Sequence, residues 1–136
     1  MKTFIHLTLA LTAILIAGCA TDEGPYVPTQ HAPSTELENT AVILDREISD
    51  RIAVDLQDAE RTRQNKLIAR ANIRNRRNED LRVQVQTVFR DSKGFSINAR
   101  TAWETMVLTA NETRTVSAIS TSNKADRYTI RIRMMR

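Results

Sequence analysis

Cysteine and histidine are almost absent from this sequence of 136 residues, which holds one cysteine, Cys19, and two histidines, His6 and His31. One cysteine cannot form an internal disulfide, a nucleophilic triad needs a base beside its nucleophile, and a zinc site needs several Cys or His ligands at short spacing. The adjacent carboxylates Glu79 and Asp80 would face opposite ways in a strand or lie solvated in a turn, so they do not indicate a carboxylate-pair hydrolase. The sequence therefore predicts no catalytic residue, no metal site and no enzyme activity.

Glycine and aromatic residues are also scarce. The three glycines are scattered, which argues against a phosphate-binding loop, and aromatic residues make up 4 % of the chain. The core must then consist of aliphatic side chains with Phe89, Trp103 and Tyr128. We expect Trp103 to be a core anchor, with a ligand platform as the alternative, because tryptophans usually bury deeply. Aromatic residues do not interleave the basic ones as stacking on single strands requires, so we expect no nucleic acid partner despite a pI of 9.7.

The first residues have the pattern of a lipoprotein signal peptide. Lys2 supplies a positive charge, and an apolar run over residues 4–17 follows that is too short to span a bilayer comfortably. An ordinary secretory peptide is the alternative, but the run ends in a lipobox, a branched apolar residue and two small residues before a cysteine: Ile16, Ala17, Gly18 and Cys19. We expect cleavage after residue 18 and anchoring by diacylglycerol and an N-acyl chain on Cys19, because two or more chains give stable membrane attachment.

Residues 19–38 predict a flexible tether. All three prolines, Pro25, Pro28 and Pro33, lie here among polar residues without an apolar period. Ala20, and not aspartate, follows the cysteine, and its resemblance to lipoproteins of Gram-negative bacteria implies the periplasmic face of the outer membrane. A single folded domain is expected over residues 39–136.

Charge is unevenly distributed along the chain. Residues 20–60 carry ten acidic and two basic side chains, whereas residues 61–136 carry seventeen basic and six acidic ones. Such a polarised chain could attract anions or orient the protein. It could equally fold back on itself, with the acidic segment beside a basic sheet.

Two long alternating segments give the clearest structural signal. Residues 66–74 and 81–90 each alternate apolar and polar side chains with the two-residue period of a half-buried strand, and the polar residues 75–80 separate them. We predict a β-hairpin from this pattern. The rival interpretation is a helix over residues 50–77, since Arg, Gln and Ala favour helices.

Shorter segments complete the predicted domain. Strands are expected at residues 40–44, 52–56, 95–97, 102–108, 114–120 and 127–134, with a helical turn at 45–50 capped by Asp45 and a glycine turn ending at Gly94. About seven short strands separated by polar reversals predict an immunoglobulin-like β-sandwich.

Arginine is the residue type most suited to recognition in this chain. The candidate anion or partner face comprises Arg70, Arg74, Arg82 and Arg90 of the expected hairpin with Arg131 and Arg133 of the last strand. Guanidinium groups match phosphates and carboxylates, so an anionic glycan, an anionic lipid or an acidic protein could bind. The alternative is an exposed sheet face that is charged only to stay soluble.

The pattern resembles the YcfL-like family of small bacterial lipoproteins. The resemblance covers roughly residues 52–133, and it rests on Asn75 at the end of the first long strand, the Leu81-x-Val83-x-Val85 segment, the residues Phe89 to Gly94, Trp103, Leu108, Asn111, Glu112 and the closing Tyr128 to Ile132. Val88 departs from the family pattern. The resemblance implies a small periplasmic β-sandwich and brings no catalytic residues, because the family has no assigned activity.

These observations lead to one function hypothesis and its alternatives. We expect a membrane-anchored, non-enzymatic binding or adaptor module of the cell envelope with a protein partner. The alternatives are a structural subunit of a secretion or peptidoglycan-synthesis complex, and a binder of anionic glycan or lipid through the arginine face.

Overall fold

The structure, a computed structural model, describes residues 40–136, whose regular secondary structure consists of strands and one short 3₁₀ segment. The lipobox, Cys19 and the tether lie outside the described residues. Eight strands are present: β1 (Ala41–Ile43), β2 (Ile52–Arg61), β3 (Leu67–Asn75), β4 (Leu81–Arg90), β5 (Ser96–Arg100), β6 (Glu104–Leu108), β7 (Thr113–Ile119) and β8 (Arg127–Met134). The predicted β architecture is confirmed, and each of the eight strands overlaps a segment predicted from the sequence. The rival helix over residues 50–77 is wrong, because β2 and β3 occupy that segment.

The strands form two sheets that pack face to face as an immunoglobulin-like sandwich. The large sheet has the order β1-β8-β4, and both β5 and β6 pair with the far side of β4. The small sheet has the order β2-β3-β7 and is antiparallel throughout. Only β1 runs parallel to its neighbour, β8, within the large sheet.

The core lies between the sheets and follows from the two-residue alternation. Every second residue of β3, β4 and β8 points inward, and burying such a side chain contributes about 1.5–3 kcal/mol. The main cluster contains Ile48, Ile52, Ala71, Ile73, Leu81, Val83, Val85, Met106, Leu108, Ile130 and Ile132. A second cluster surrounds Phe89 at the other end of the sandwich. Trp103 belongs to neither cluster and is only half-buried, so its prediction as a core anchor is wrong.

The predicted hairpin of β3 with β4 is also wrong, because the two strands lie in different sheets. The neighbours of β3 are β2 and β7, whereas β4 pairs with β5, β6 and β8. Both strands nevertheless turn their apolar residues toward the same core, as the alternation predicts. The polar residues between them cross from one sheet to the other, a distance of about 10 Å in sandwiches.

Two local predictions concern turns and have different outcomes. The reversal after β4 is confirmed: Gly94 adopts φ +92°, and the Asp91 carboxylate accepts hydrogen bonds from the Lys93 and Phe95 N–H groups at 3.0 and 2.9 Å. The helical turn is present as a short 3₁₀ segment, Arg46–Ile48, but Asp45 does not cap it. Its carboxylate instead accepts a hydrogen bond of 2.7 Å from the Met134 N–H.

Candidate functional site

The six arginines of the predicted binding face do not share one surface. Arg70 and Arg74 lie on the outer face of the small sheet, and the other four lie on β4 and β8 of the large sheet. The prediction of one continuous arginine face is therefore wrong, because it depended on β3 and β4 being neighbours. Each outer face has to be considered separately.

On the small sheet, the arginines are neutralised by carboxylates of the neighbouring strand β2. Arg74 binds Asp55 in a bidentate arrangement, with Nε to Oδ2 at 2.7 Å and Nη2 to Oδ1 at 3.1 Å. Arg70 contacts Glu60 and, at 4.0 Å, Asp58. The hydrogen bond from Arg74 lowers the pKa of Asp55, and the same contact raises the pKa of Arg74. The acidic segment thus folds beside the basic strand, and this face has little unbalanced charge for a ligand.

On the large sheet, glutamines and arginines alternate with the core residues and form a ladder on the outer face. The sheet register places Gln84 opposite Arg133 and Gln86 opposite Arg131. Arg133 Nε donates to Gln84 Oε1 at 3.0 Å, and Arg131 Nη1 donates to Gln86 Oε1 at 3.0 Å. Because the Gln84 amide oxygen is a neutral acceptor, it orients the Arg133 guanidinium and leaves its charge in place.

Trp103 covers this ladder. The Arg133 Cζ atom lies 3.9 Å from the centroid of the Trp103 ring, and the Arg131 Cζ atom lies 5.5 Å from it. The segment before β6 is held across the sheet because the Gln86 amide donates to the Thr101 carbonyl at 2.9 Å. Stacking of a guanidinium on tryptophan contributes about 0.5–1 kcal/mol at exposed sites, and it helps to hold Trp103 on the outer face of the sheet.

Arg82 extends the same surface, whereas Arg90 does not. Arg82 is exposed at the start of β4, and no ion pair is formed by its side chain with any described residue. Arg90 is only 8 % exposed and donates to the Thr129 hydroxyl at 2.6 Å. Its inclusion in an exposed binding face is therefore wrong. We define the basic platform as Arg82, Gln84, Trp103 and Arg133.

The strands that carry the basic platform have no outward-facing carboxylate, and the interaction of Arg133 with Asp45, in the segment after β1, is electrostatic without an ion-pair contact. Within residues 40–136, the outward positions of β4, β6 and β8 contain no Asp or Glu. The Arg133 Nη groups have no hydrogen-bond acceptor among the described residues, although an arginine has five N–H donors. The platform therefore offers planar donors beside an aromatic ring, a combination suited to carboxylate or phosphate groups.

Within residues 40–136, no group of three or more His, Cys, Asp or Glu side chains comes together to hold a metal ion. In the same segment, none of the helices is both long and apolar enough to cross a membrane. Burial raises the pKa of Tyr128, whose ring packs against the core, so this hydroxyl is not prepared to act as a base.

Comparison with known proteins identifies the domain. The model of DUF1425, a family of proteins of unknown function, matches residues 39–134. Campylobacter jejuni Cj0090 has a similar crystal structure, with a TM-score of 0.60 and 12 % sequence identity over 71 % of this chain and 99 % of that one. A DUF1425 member from Shewanella sp. PV-4 gives a TM-score of 0.57 and 21 % identity over 62 % of this chain and 79 % of that one. Comparison with curated proteins gives no match.

Proposed function

We propose that this chain, which belongs to the DUF1425 family, is a lipid-anchored, non-enzymatic binding module that recognises anionic groups of an envelope partner through its basic platform. The observation that carries the proposal is the contrast between the two outer faces. Arginines of the small sheet are neutralised by Asp55 and Glu60, whereas the outward positions of β4, β6 and β8 hold no carboxylate within the described residues.

The lipobox and tether support the proposed place of action. Acylated Cys19 would hold the protein on the periplasmic face of the outer membrane, and the tether would keep the domain away from the bilayer. We place the chain among the YcfL-like lipoproteins as part of the same proposal. Two of the residues behind that resemblance, Asn75 and Asp91, each organise a loop of the sandwich.

A charge-matched comparison tests the platform. A photo-crosslinking residue at Thr105, which is exposed and borders Gln84, would capture whatever lies on this face in intact envelopes. Replacing Arg82 and Arg133 together with glutamine should reduce the adduct about tenfold or more, because hydrogen bonds to charged groups contribute about 1.5–3 kcal/mol each. A discrete heavier band would identify a protein partner, and a broad distribution would identify glycan or lipid.

The control variant removes the same charge from the other face. Arg70→Gln combined with Arg74→Gln should leave the Thr105 adduct unchanged, because exposed ion pairs add little stability. Equal losses in both double variants would contradict the proposal, as would an adduct that does not weaken with salt. Turnover of an envelope substrate by the purified protein would contradict its non-enzymatic part.

A further inference from the structure

Strand β7 has an open edge. It pairs with β3 on one side, and the Ser120 N–H donates to the Leu67 carbonyl at 2.8 Å while the Glu112 carbonyl accepts from the Asn75 N–H at 2.9 Å. Even-numbered residues therefore bond to β3, because backbone groups alternate in direction along a strand. The odd-numbered residues of β7 turn their N–H and C=O groups to the other side, where no strand of the described residues pairs with them.

The open edge of β7 lacks the features that usually prevent strand addition. Such features are short length, bulges, proline and repeated charge. Strand β1 has only three residues, and β2 has an irregular register and several charges. Strand β7 has seven residues in regular register with β3, contains no proline or glycine, and has one charged residue, Arg114. Ile119 at its end is 54 % exposed.

A groove beside this edge carries an unpaired negative charge. Two adjoining cavities of about 260 and 250 Å³ lie between β6 and β7, and both are lined by Val85, Glu104, Val116 and Ser117. Arg114 of the same chain also lines the first cavity, but its ion pair is with Glu112. Glu104 has no ion-pair partner among residues 40–136, and Ala118 lines the second cavity together with it. A cation entering beside Ala118 would therefore meet a free carboxylate.

We propose that β7 is the dimerisation strand of this protein and pairs with β7 of a second copy about a two-fold axis. The antiparallel register centred on Val116 uses all seven residues. It places Thr113 opposite the partner's Ile119 and Thr115 opposite the partner's Ser117. These odd-numbered pairs exchange hydrogen bonds through the open edges, and the two three-stranded sheets become one continuous sheet.

Charge complementarity selects a second copy as the occupant. In this register, Arg114 lies opposite the partner's Ala118 and projects into the partner's groove, where Glu104 is unpaired. The two-fold axis produces this ion pair twice and brings no like charges together. Within one copy the exposed Arg114 side chain contacts the half-buried Glu112 at 3.4 Å. Glu112 also accepts a hydrogen bond of 2.7 Å from the Thr109 N–H, so it keeps a partner when Arg114 turns to the second copy.

Cysteine crosslinking of the full chain in its native membrane tests the register. Val116→Cys should form a disulfide-linked dimer under mild oxidation, because Cβ atoms of a non-hydrogen-bonded antiparallel pair lie about 4.5–5.5 Å apart, close to disulfide geometry. Ser117→Cys alone should not crosslink to itself, whereas Ser117→Cys co-expressed with Thr115→Cys should. The unsubstituted chain, which contains only Cys19, gives the background.

Charge reversal tests the specific contact. Arg114→Glu or Glu104→Arg alone should reduce the Val116→Cys crosslink about tenfold, and the double reversal should restore it. Thermal unfolding of each variant checks that the domain remains folded. The proposal is overturned if Val116→Cys does not exceed background, if Ser117→Cys crosslinks equally well, or if a photo-crosslinker at Thr115 captures only a different protein.

Discussion

Asn75 connects two loops from inside the protein. It is fully buried, and its amide nitrogen donates to the carbonyl oxygens of Glu79, Leu108 and Thr109 at 2.7, 3.3 and 3.0 Å. Its side-chain oxygen accepts a hydrogen bond of 3.0 Å from the Arg77 N–H. One side chain thus fixes both the crossing between the sheets and the turn before β7.

Replacing Asn75 with alanine should destabilise the domain by about 2–3 kcal/mol, because buried backbone carbonyls would lose their donors. Asn75→Asp should be at least as damaging, since a carboxylate has the same shape but no N–H to donate. Chemical denaturation monitored by circular dichroism measures both changes. Stability equal to that of the unsubstituted protein in both variants would show that water replaces the amide fully.

The position of Trp103 could not be predicted from the sequence. The burial tendency of tryptophan predicted a core position for Trp103, but its ring stacks on Arg133 at 3.9 Å from the Cζ atom. Composition reports how often a residue type is buried, whereas the location of Trp103 depends on guanidinium groups contributed by a strand about thirty positions later in the sequence. No local pattern contains that contact.

At the scale of elements, the Asp45 side chain connects the segment after β1 to the end of β8 by hydrogen bonds. Its carboxylate accepts from the Met134 N–H at 2.7 Å and from Arg136 Nη2 at 3.2 Å. The bond from the Met134 N–H is the main cause of its lowered pKa, relative to an ordinary value of 3.8. Because β1 has three residues, this side chain reinforces a short strand pairing.

The lowered pKa of Asp45 predicts how this contact responds to pH. A carboxyl group whose pKa is lower in the folded state stabilises the fold above its unfolded pKa, and the contribution is lost as pH falls through the folded pKa. Asp45→Asn should therefore lower Tm at pH 7, and the difference from the unsubstituted protein should shrink below about pH 4. Calorimetry at several pH values measures it.

A matched variant separates this contact from general acid effects. Glu47→Gln removes a carboxylate from the adjacent 3₁₀ segment. It should leave both Tm at pH 7 and the pH dependence close to those of the unsubstituted protein. A constant Tm difference for Asp45→Asn from pH 7 to pH 3 would contradict the assignment.

Strand pairing was less predictable than strand position. Alternation in β3 and β4 predicted their positions and inward faces correctly, because burial of one face requires only a two-residue period. The same pattern gives no information about which strand is the neighbour. The polar residues after Asn75 suit a hairpin turn or a crossing between sheets equally well. Tertiary contacts decide between the two, and among them are the hydrogen bonds of the buried Asn75 amide, which hold the crossing in place.

At the scale of the whole molecule, charge is sorted by face. The acidic β2 lies beside the basic β3, so opposite charges that are separated in sequence cancel on the small sheet. On the large sheet, Arg133 and Arg131 have the neutral side chains of Gln84 and Gln86 as hydrogen-bonding neighbours. The sequence indicated two possibilities, an anion-binding face and internal neutralisation. The small sheet shows the neutralisation, and the large sheet carries the proposed anion-binding face.

The proposed attachment through Cys19 would determine which partners these surfaces could meet. If the lipobox is used, labelled palmitate should enter the unsubstituted chain, and the mature protein should begin at Cys19. Cys19→Ser should carry no label and should not be cut at this position.

Ala20→Asp is the matched variant: it should keep the label but move from the outer to the inner membrane, as the lipoprotein resemblance implies. Membrane fractionation with mass spectrometry of the N-terminus measures all three outcomes. An unlabelled natural chain would contradict lipid anchoring, and a labelled Ala20→Asp variant that stays in the outer membrane would contradict only the sorting step.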